Sequence, residues 1–544
     1  MNITHIYLAR FDVEADGPLA IGSGQRGVLV DQLVARDAYG FPYLPGTSLA
    51  GVVRSELGGQ LSPEVLQTLF GFQGKEKEGQ GSRVMFTSGH LIGTSGVIGE
   101  GTVPDEDDFL QHFLPTYLPE RDHVRINHRG VADAEGRGKF DRQLVPRGSR
   151  FRFEVWLEGT EADQGAWKQL LQVFHHPLFR IGSGTRKGFG KLAIKHCRTR
   201  TYNLREAADR TAYLAVTGNL NDPVPGLSIA SIETPELSGS WEKIHVELTP
   251  RDFFFFGSGI GNENVDKTSK TEWFVDWNDD QPTLRMDPKE RDYLIPATSI
   301  KGAISHRVAY YYNCLTEQTI EKQRVELPEL NVEAVAEEVL STKLSNISPS
   351  ASSQELQKKI EELQALLAEV DTLDPAEHST KYADFKSELE QLQKQETYPN
   401  TGELNPAVRR LFGYAVERND QEDKPSAQRG RVLLEDIHLT RENATEKTFS
   451  HVMIDRFTGG AKQGALFQES TVETKQVLKF KLYVHTDAFK DAKELDQSVE
   501  GKHVREALKR TLDDLRSGAL PLGGNVAKGH GIFTGTHTFQ NDAQ

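Results

Sequence analysis

The residues best placed to do chemistry stand in two glycine-rich runs, IGSGTRKGFGKL (residues 181–192) and LGGNVAKGHGIF (residues 522–533). Each sets a lysine directly before a glycine: Lys187 before Gly188, and Lys528 before Gly529. Glycine lets a backbone come close to a phosphodiester chain, and the ammonium supplies the counter-charge. No Gly-Lys-Ser/Thr follows, which excludes a nucleotide-binding P-loop. A second matched pair is Pro45-Gly46-Thr47-Ser48 and Pro296-Ala297-Thr298-Ser299. Proline blocks a helix upstream, Thr or Ser can cap the helix downstream, and the free amides of its first turn favour an anion. Arg54 and Lys301 stand nearby. Both features also have plainer readings, as a tight turn that needs glycine and as an ordinary capping turn.

The formal net charge of −15 argues against a polyanionic partner until it is located along the chain. Residues 313–404 hold 19 acidic and 8 basic side chains, so the rest of the chain carries only −4. Residues 180–205 hold eight Lys or Arg, including Arg186 and Lys187, and no Asp or Glu. Residues 121–150 hold eight basic side chains, including Arg125 and Arg129, against four acidic ones. Basic stripes on an acidic body are what an RNA-facing groove requires, although solvated loops would look the same.

The elements that position these residues recur, because the chain reads as one module written twice. An apolar strand ends in a glycine turn at Gly22-Ser23 and again at Gly257-Ser258. The Pro turn, a Leu-Phe-Gly (69–71 and 411–413) with an Arg-Val strand after it, and the glycine-rich hairpin follow in the same order. The copies span residues 1–210 and 240–544, and residues 211–239, rich in Pro, Gly and Ser, read as a linker. A helical insertion at 313–404 lengthens the second copy. Its apolar residues Leu356, Ile360, Leu363, Leu367 and Val370, then Tyr382, Phe385, Leu389 and Leu392 after Pro375, predict an antiparallel helical hairpin. The stretch from glycine turn to Pro turn is also longer in the second copy, 39 positions against 23.

Two further segments, from His123 and from His451, each read as a strand, a glycine-rich tip and a returning strand. Ile126, Phe140, Phe457, Leu466 and Phe467 near the tips or shoulders could wedge between bases, or could equally be core residues. Lys462 is a candidate contact on the second of these hairpins.

Composition bounds the remainder. At 544 residues the chain exceeds one ordinary domain. Its two cysteines, Cys197 and Cys314, exclude a disulfide scaffold and a Cys-based zinc site. No run of eighteen apolar residues predicts a membrane span, and the opening MNITHIYLARFDVEADG alternates like a strand rather than a signal peptide. A cytoplasmic protein is expected.

The string IGSG, then DxxVxRDxxGxPYxPGTSLxGxxR, then LFG, then the glycine-rich hairpin resembles the RAMP superfamily. In particular it is similar to the Cas-seven-type backbone subunits of type III CRISPR complexes, and fused pairs with helical insertions look like type III-D variants. The resemblance covers nearly all of residues 1–200, and about 240–312 and 405–536, where Pro-Gly has become Pro-Ala. It implies an α+β fold of two tandem ferredoxin-like (RRM-like, RAMP) palms, each with a β-hairpin thumb, the second carrying the helical hairpin. It implies a guide RNA held along the palms by the two glycine turns with Arg26, the Pro turns, the glycine-rich hairpins and the basic thumb residues.

In this family each thumb flips a nucleotide, and target RNA is cut beside it. The cut depends on an acidic residue in the loop after the first strand and on a divalent metal, Mg2+ or Mn2+. On that pattern Asp31 is the catalytic acid and metal ligand. A splayed nucleotide can bring its own 2′-hydroxyl in line with the adjacent phosphorus, and a nearby carboxylate can take the proton or hold the metal. The plainer reading is that Asp31 closes a turn or pairs with Arg26 or Arg36. In the second copy TEWFVDW stands for DQLVARD, and the acid there is Asp266 or Glu272, or the copy is silent.

The implied partners are a guide RNA, a complementary target RNA, and other backbone and large subunits of an effector complex, with no membrane. Three alternatives compete. One is an RNA-binding spacer that cuts nothing. Another is a metal-independent guide-processing endonuclease using His123 or His451. The last is a scaffold of ferredoxin-like modules without nucleic acid.

Overall fold

The computed structural model describes residues 3–24, 30–74, 79–99, 107–114, 118–127, 130–132, 138–237, 239–259, 261–318, 323–324, 396–397, 400–415, 427–494 and 497–540. Arg26, Arg129 and the greater part of the expected helical insertion lie outside the described residues.

In the first half, β1 (His5–Ala15), α1 (Gly46–Leu57), β2 (Val84–Phe86), β3 (Arg150–Gly159), α2 (Gln164–Phe174) and β4 (Leu192–Asn203) follow one another. The sheet order is β4-β1-β3-β2, all antiparallel, with Leu8 opposite Trp156 on one side and Arg200 on the other. In the second half the same series is β5 (Trp241–Pro250), α3 (Ala297–Leu315), β6 (Val432–Leu433), β7 (Leu478–His485), α4 (Gly501–Ser517) and β8 (Phe533–Phe539), in the order β8-β5-β7-β6. Each half is thus a β-α-β-β-α-β ferredoxin-like palm with the same strand order.

The pattern that makes these elements is plain in each helix. Leu49, Val53 and Leu57 on α1, and Val504, Leu508, Leu512 and Leu515 on α4, recur at three- and four-residue spacing and are buried against their sheets. Phe11, Phe153 and Phe174 interlock in the first core, with ring centroids 4.6–5.6 Å apart. Ile244, Val246, Leu248 and Leu482 fill the second. Each such buried side chain contributes about 1.5–3 kcal/mol.

Both Leu-Phe-Gly motifs end a short helix, Pro63–Phe70 capped by Ser62 and Pro406–Phe412 capped by Asn405. Gly71 and Gly413 then take φ of 73° and 76°, where a side chain would strike a hairpin carbonyl at 2.3 Å. That geometry is why glycine stands there twice.

The segment expected as a linker is partly built into the first palm. Ser228–Ile229 extends the sheet beyond β4, and Val224 packs with Ile6, Leu8 and Tyr202 on the face away from the helices. Arg10–Glu154 and Arg152–Asp12–Arg198 ion pairs occupy the rest of that face.

Each palm carries a hairpin between its middle strands. The first thumb pairs Glu120–Val124 with Lys139–Gln143, and the second pairs Thr445–Ile454 with Ala461–Glu473. The halves interlock: Val275 of the second half joins the first core, and its amide donates to Arg147 O at 2.8 Å.

Candidate nucleic-acid interface

The loop that leaves β1 turns at Gly22, which bridges Val34, and the loop that leaves β5 turns at Gly257, which bridges Ser269. Three residues before each bridging partner stands an exposed aspartate, Asp31 or Asp266. Asp31 Oδ2 accepts from the Asp141 amide at 3.0 Å, and Asp266 Oδ2 accepts from the Gln468 amide at 2.7 Å. Both amides belong to the returning strand of a thumb. The next residues, Gln32 and Lys267, form parallel bridges with Arg142 and Glu469. The two aspartates therefore occupy the same place at the base of their thumbs.

This register corrects the sequence alignment of the second copy. DQLVARD corresponds to DKTSKTE (residues 266–272), not to TEWFVDW, so Glu272 matches Asp37. The extra residues come after the acid, as a hairpin of Phe274–Asn278 and Gln281–Arg285 that packs on the first palm. Spacing from the Pro turn was misleading because the insertion lies between the acid and that turn.

Glu272 is buried in an ion-pair group with Arg121, Asp436 and His438. Burial pushes its carboxyl up, but Arg121 and His438 outweigh that and hold it near 2. Burial pushes Asp436 upward, with Glu272 adding to it and Arg121 opposing. The ligand atoms of Glu272, Asp436 and His438 lie within 4.8 Å of one another, as a metal would need. Arg121, however, already bonds both carboxylates, at 2.7 Å to Asp436, and supplies the cation itself. The group clasps the halves together.

Around Asp31 the acids accumulate. Asp122 and Asp141 face each other across the first thumb. Asp141 is held above its ordinary range by its hydrogen bond with Asp122, by burial, and by the charges of Asp122 and Asp31. The second thumb has Ser450 and Gln468 at these positions, joined by a 3.2 Å hydrogen bond.

Inside each thumb base a histidine stacks on a phenylalanine beneath the hairpin lysine. His123 and Phe140 have centroids 4.8 Å apart, with Lys187 5.0 Å above the ring. His451 and Phe467 are 4.9 Å apart, with Lys528 4.7 Å above the ring. The glycine-rich hairpins match in backbone as well: residues 182, 184, 188 and 190 and residues 523, 525, 529 and 531 all have positive φ. Burial, together with Lys187, Arg121 and Arg142, pushes His123 down to about 3. Both histidines are packed into these stacks.

The Pro turns behave differently from the expected cap. Proline itself is the N-cap of α1 and of α3, and no side chain caps either helix. Thr47 is exposed in the first turn of α1, while the Ser48 amide already bonds Pro45 O. In α3 the Ala297 amide is taken by Asp436 Oδ1 at 2.7 Å, and Thr298 and Ser299 are half-buried. The anion place at that helix start is filled from within the protein.

Gly188 reaches this helix start from the first hairpin, bridging Glu435. Cations gather there: Lys301 donates to Phe412 O, and Arg429 donates to Thr185 Oγ1. Burial, with Lys187 and Arg186 nearby, lowers Lys301 to about 8; burial, with Arg429 and Arg180, lowers Arg186 to about 10.

Ser23 and Ser258 turn back on Leu33 and Thr268 through their amides. Arg54, Arg125, Lys462, Lys528 and Gly529 are exposed. The second thumb projects an apolar tip, with Phe457 fully exposed and Leu466 66% exposed. Sequence reasoning missed Asp122, Asp141, Arg142 and Glu469. Their alternation along strands was legible, but their pairing across the thumb depends on hairpin register.

Two ferredoxin-like palms in tandem, each with a thumb and a loop aspartate at its base, define the class of fold. The RAMP superfamily model matches residues 12–193 and 270–534. The chain belongs to the RAMP superfamily. No curated protein matches it. Among solved structures, it is similar to a chain of a type III-B Cmr-beta complex determined by cryo-EM bound to cognate target RNA. Identity is 14% and the TM-score 0.26, over 36% of this chain and 60% of that one. The matched part thus spans less than two thirds of that chain.

Proposed function

We propose that the chain is a double backbone subunit of a type III CRISPR ribonucleoprotein. It grips guide RNA along its phosphates and cuts complementary target RNA at the thumb bases, beside other backbone and large subunits. The observation that carries this is the repetition of one arrangement: a loop aspartate bonded to the returning thumb strand, next to a stacked His–Phe pair under a hairpin lysine. Contacts to phosphate and sugar position a strand without reading its bases, so guide–target pairing supplies the specificity.

In chemistry the donors at the first site match a divalent cation such as Mg2+, while among the described residues the group with ligand atoms within 4.8 Å of one another is Glu272, Asp436 and His438. Asp31, Asp122 and Asp141 offer hard oxygen ligands, and the hydrogen bond and repulsion that hold Asp141 up are what a cation relieves. When bound, such an ion stabilises the charge that develops at phosphorus. Asp31 itself is held by the Asp141 amide, so its carboxylate keeps a fixed direction at the thumb base. From there it can accept the proton of a 2′-hydroxyl brought in line by a splayed nucleotide. At the second site Asp266 lacks the supporting carboxylates, since Ser450 and Gln468 stand in their place. That favours a second reading for this copy alone, as a slow cutter or a grip without cleavage.

The test is an assembled complex carrying Asp31→Ala. Guide RNA is expected to remain bound while one cut in the target disappears, and EDTA is expected to suppress cutting by the unaltered complex. Unchanged cleavage at every position would leave only the spacer reading.

A further inference from the structure

The two thumb bases share histidine, phenylalanine and lysine, but where the first has Arg142 on its returning strand the second has Glu469. Glu469 is wholly buried. Its carboxylate lies 2.7 Å from His451 Nε2, 2.9 Å from Asn525 Nδ2 and 3.3 Å from Lys528 Nζ. It marks where an anion sits against this His–Phe–Lys arrangement.

Among the described residues no carboxylate takes that place in the first base. His123 and Arg142 are each only 7% exposed, and His123 Nε2, Arg142 Nε and Arg142 Nη1 have no hydrogen-bond partner among the described residues. Lys187 has no ion pair among the described residues; it rests on Phe140, and burial and Arg142 lower its affinity for a proton, with the charge of Glu403 only partly opposing them. Phe189 lies under both Arg121 and Arg142, where the second copy has His530. Buried cations without a counter-charge are costly, and the cost is relieved when an anion arrives.

We propose that the first thumb base is a phosphate seat for an RNA strand, with Lys187 at its rim and Arg142 and His123 behind it, whereas the second is a closed latch in which Glu469 stands in for the phosphate. This rests on the reading of the chain as RNA-binding. The two copies then grip unequally, and most of the salt-dependent affinity comes from the first.

The test uses the full chain and a labelled single-stranded RNA of mixed sequence, followed by anisotropy over a salt series. Lys187→Ala is expected to weaken binding about tenfold and to reduce the salt slope by about 0.7, the loss of one single-strand phosphate contact. Lys187→Gln, which keeps a chain over Phe140, should give the same loss and so separates it from misfolding. Lys528→Ala is expected to cost only about twofold, because Glu469 already neutralises it, and Glu469→Gln should tighten binding severalfold. Equal losses at Lys187 and Lys528, with no effect of Glu469→Gln, would overturn the asymmetry while leaving RNA binding intact. Absence of any RNA binding by the unaltered chain at low salt would overturn the parent reading as well.

Discussion

His123 shows how strongly one position feels its surroundings. It is stacked on Phe140 and surrounded by Lys187, Arg121 and Arg142, and burial with these charges brings it from the ordinary 6.5 to about 3. The folded protein therefore refuses a proton that the unfolded chain accepts. Its contribution to stability is whole above pH 6.5 and is lost as pH falls from there toward 3. In the absence of RNA, His123→Gln is expected to flatten the fall in stability between pH 6.5 and 4. A single such proton is worth about 1.4 kcal/mol per pH unit at most. Denaturant melts at several pH values check this, and an unchanged slope would mean that His123 is charged in the folded state.

The residue scale is also where sequence reading reached least far. Asp31 stands out as a candidate through its motif, whereas Arg142 and Glu469 read as ordinary strand charges. Only the register that puts them beneath equivalent lysines gives them opposite roles.

At the scale of elements the sequence was far more legible. The repeated glycine turns, Pro turns, Leu-Phe-Gly motifs and glycine-rich hairpins all mark backbone conformations that few residues can adopt, and each lands at a matched place in both palms. The failure was the loop between Glu272 and Pro296. Insertion length is visible in a sequence, but its position within a loop is set by pairing, here of Phe274–Asn278 with Gln281–Arg285.

Gly188 and Gly529 make the contrast testable. Both have positive φ, 96° and 89°, so alanine is strained at either by roughly 1 kcal/mol. A side chain at Gly529 meets nothing within 4 Å, but at Gly188 it would lie 2.6 Å from Asp436 Oδ1 and 3.0 Å from Ala297 Cβ. Gly188→Ala is therefore expected to destabilise by about 2–3 kcal/mol more than Gly529→Ala, because it prises the first hairpin off the second palm. Equal melting temperatures for the two variants would show that the hairpin does not dock there.

The whole molecule is two copies of one palm locked in sequence. Arg121 of the first thumb is buried against Glu272 and Asp436 of the second half. Arg147 pairs with Asp292 at 2.6 Å, and Lys191 pairs with Glu435 at 3.1 Å. Such a junction fixes the distance between Asp31 and Asp266, which in the proposed function sets the spacing at which the two thumbs would meet one strand. Removing one partner of a buried pair costs about 3–5 kcal/mol, and Glu272, buried against Arg121, is such a partner.

The most direct measurement is a map of the cuts that assembled complexes make in a target RNA when they carry Asp31→Ala, Asp266→Ala or Glu272→Gln. We expect Asp31→Ala and Asp266→Ala to erase different cuts, the Asp266-dependent one being the slower in the unaltered complex, and Glu272→Gln to erase neither. Loss of the second cut with Glu272→Gln but not with Asp266→Ala, or persistence of every cut in the Asp31→Ala complex, would contradict the assignment of the cuts to the matched loop aspartates Asp31 and Asp266.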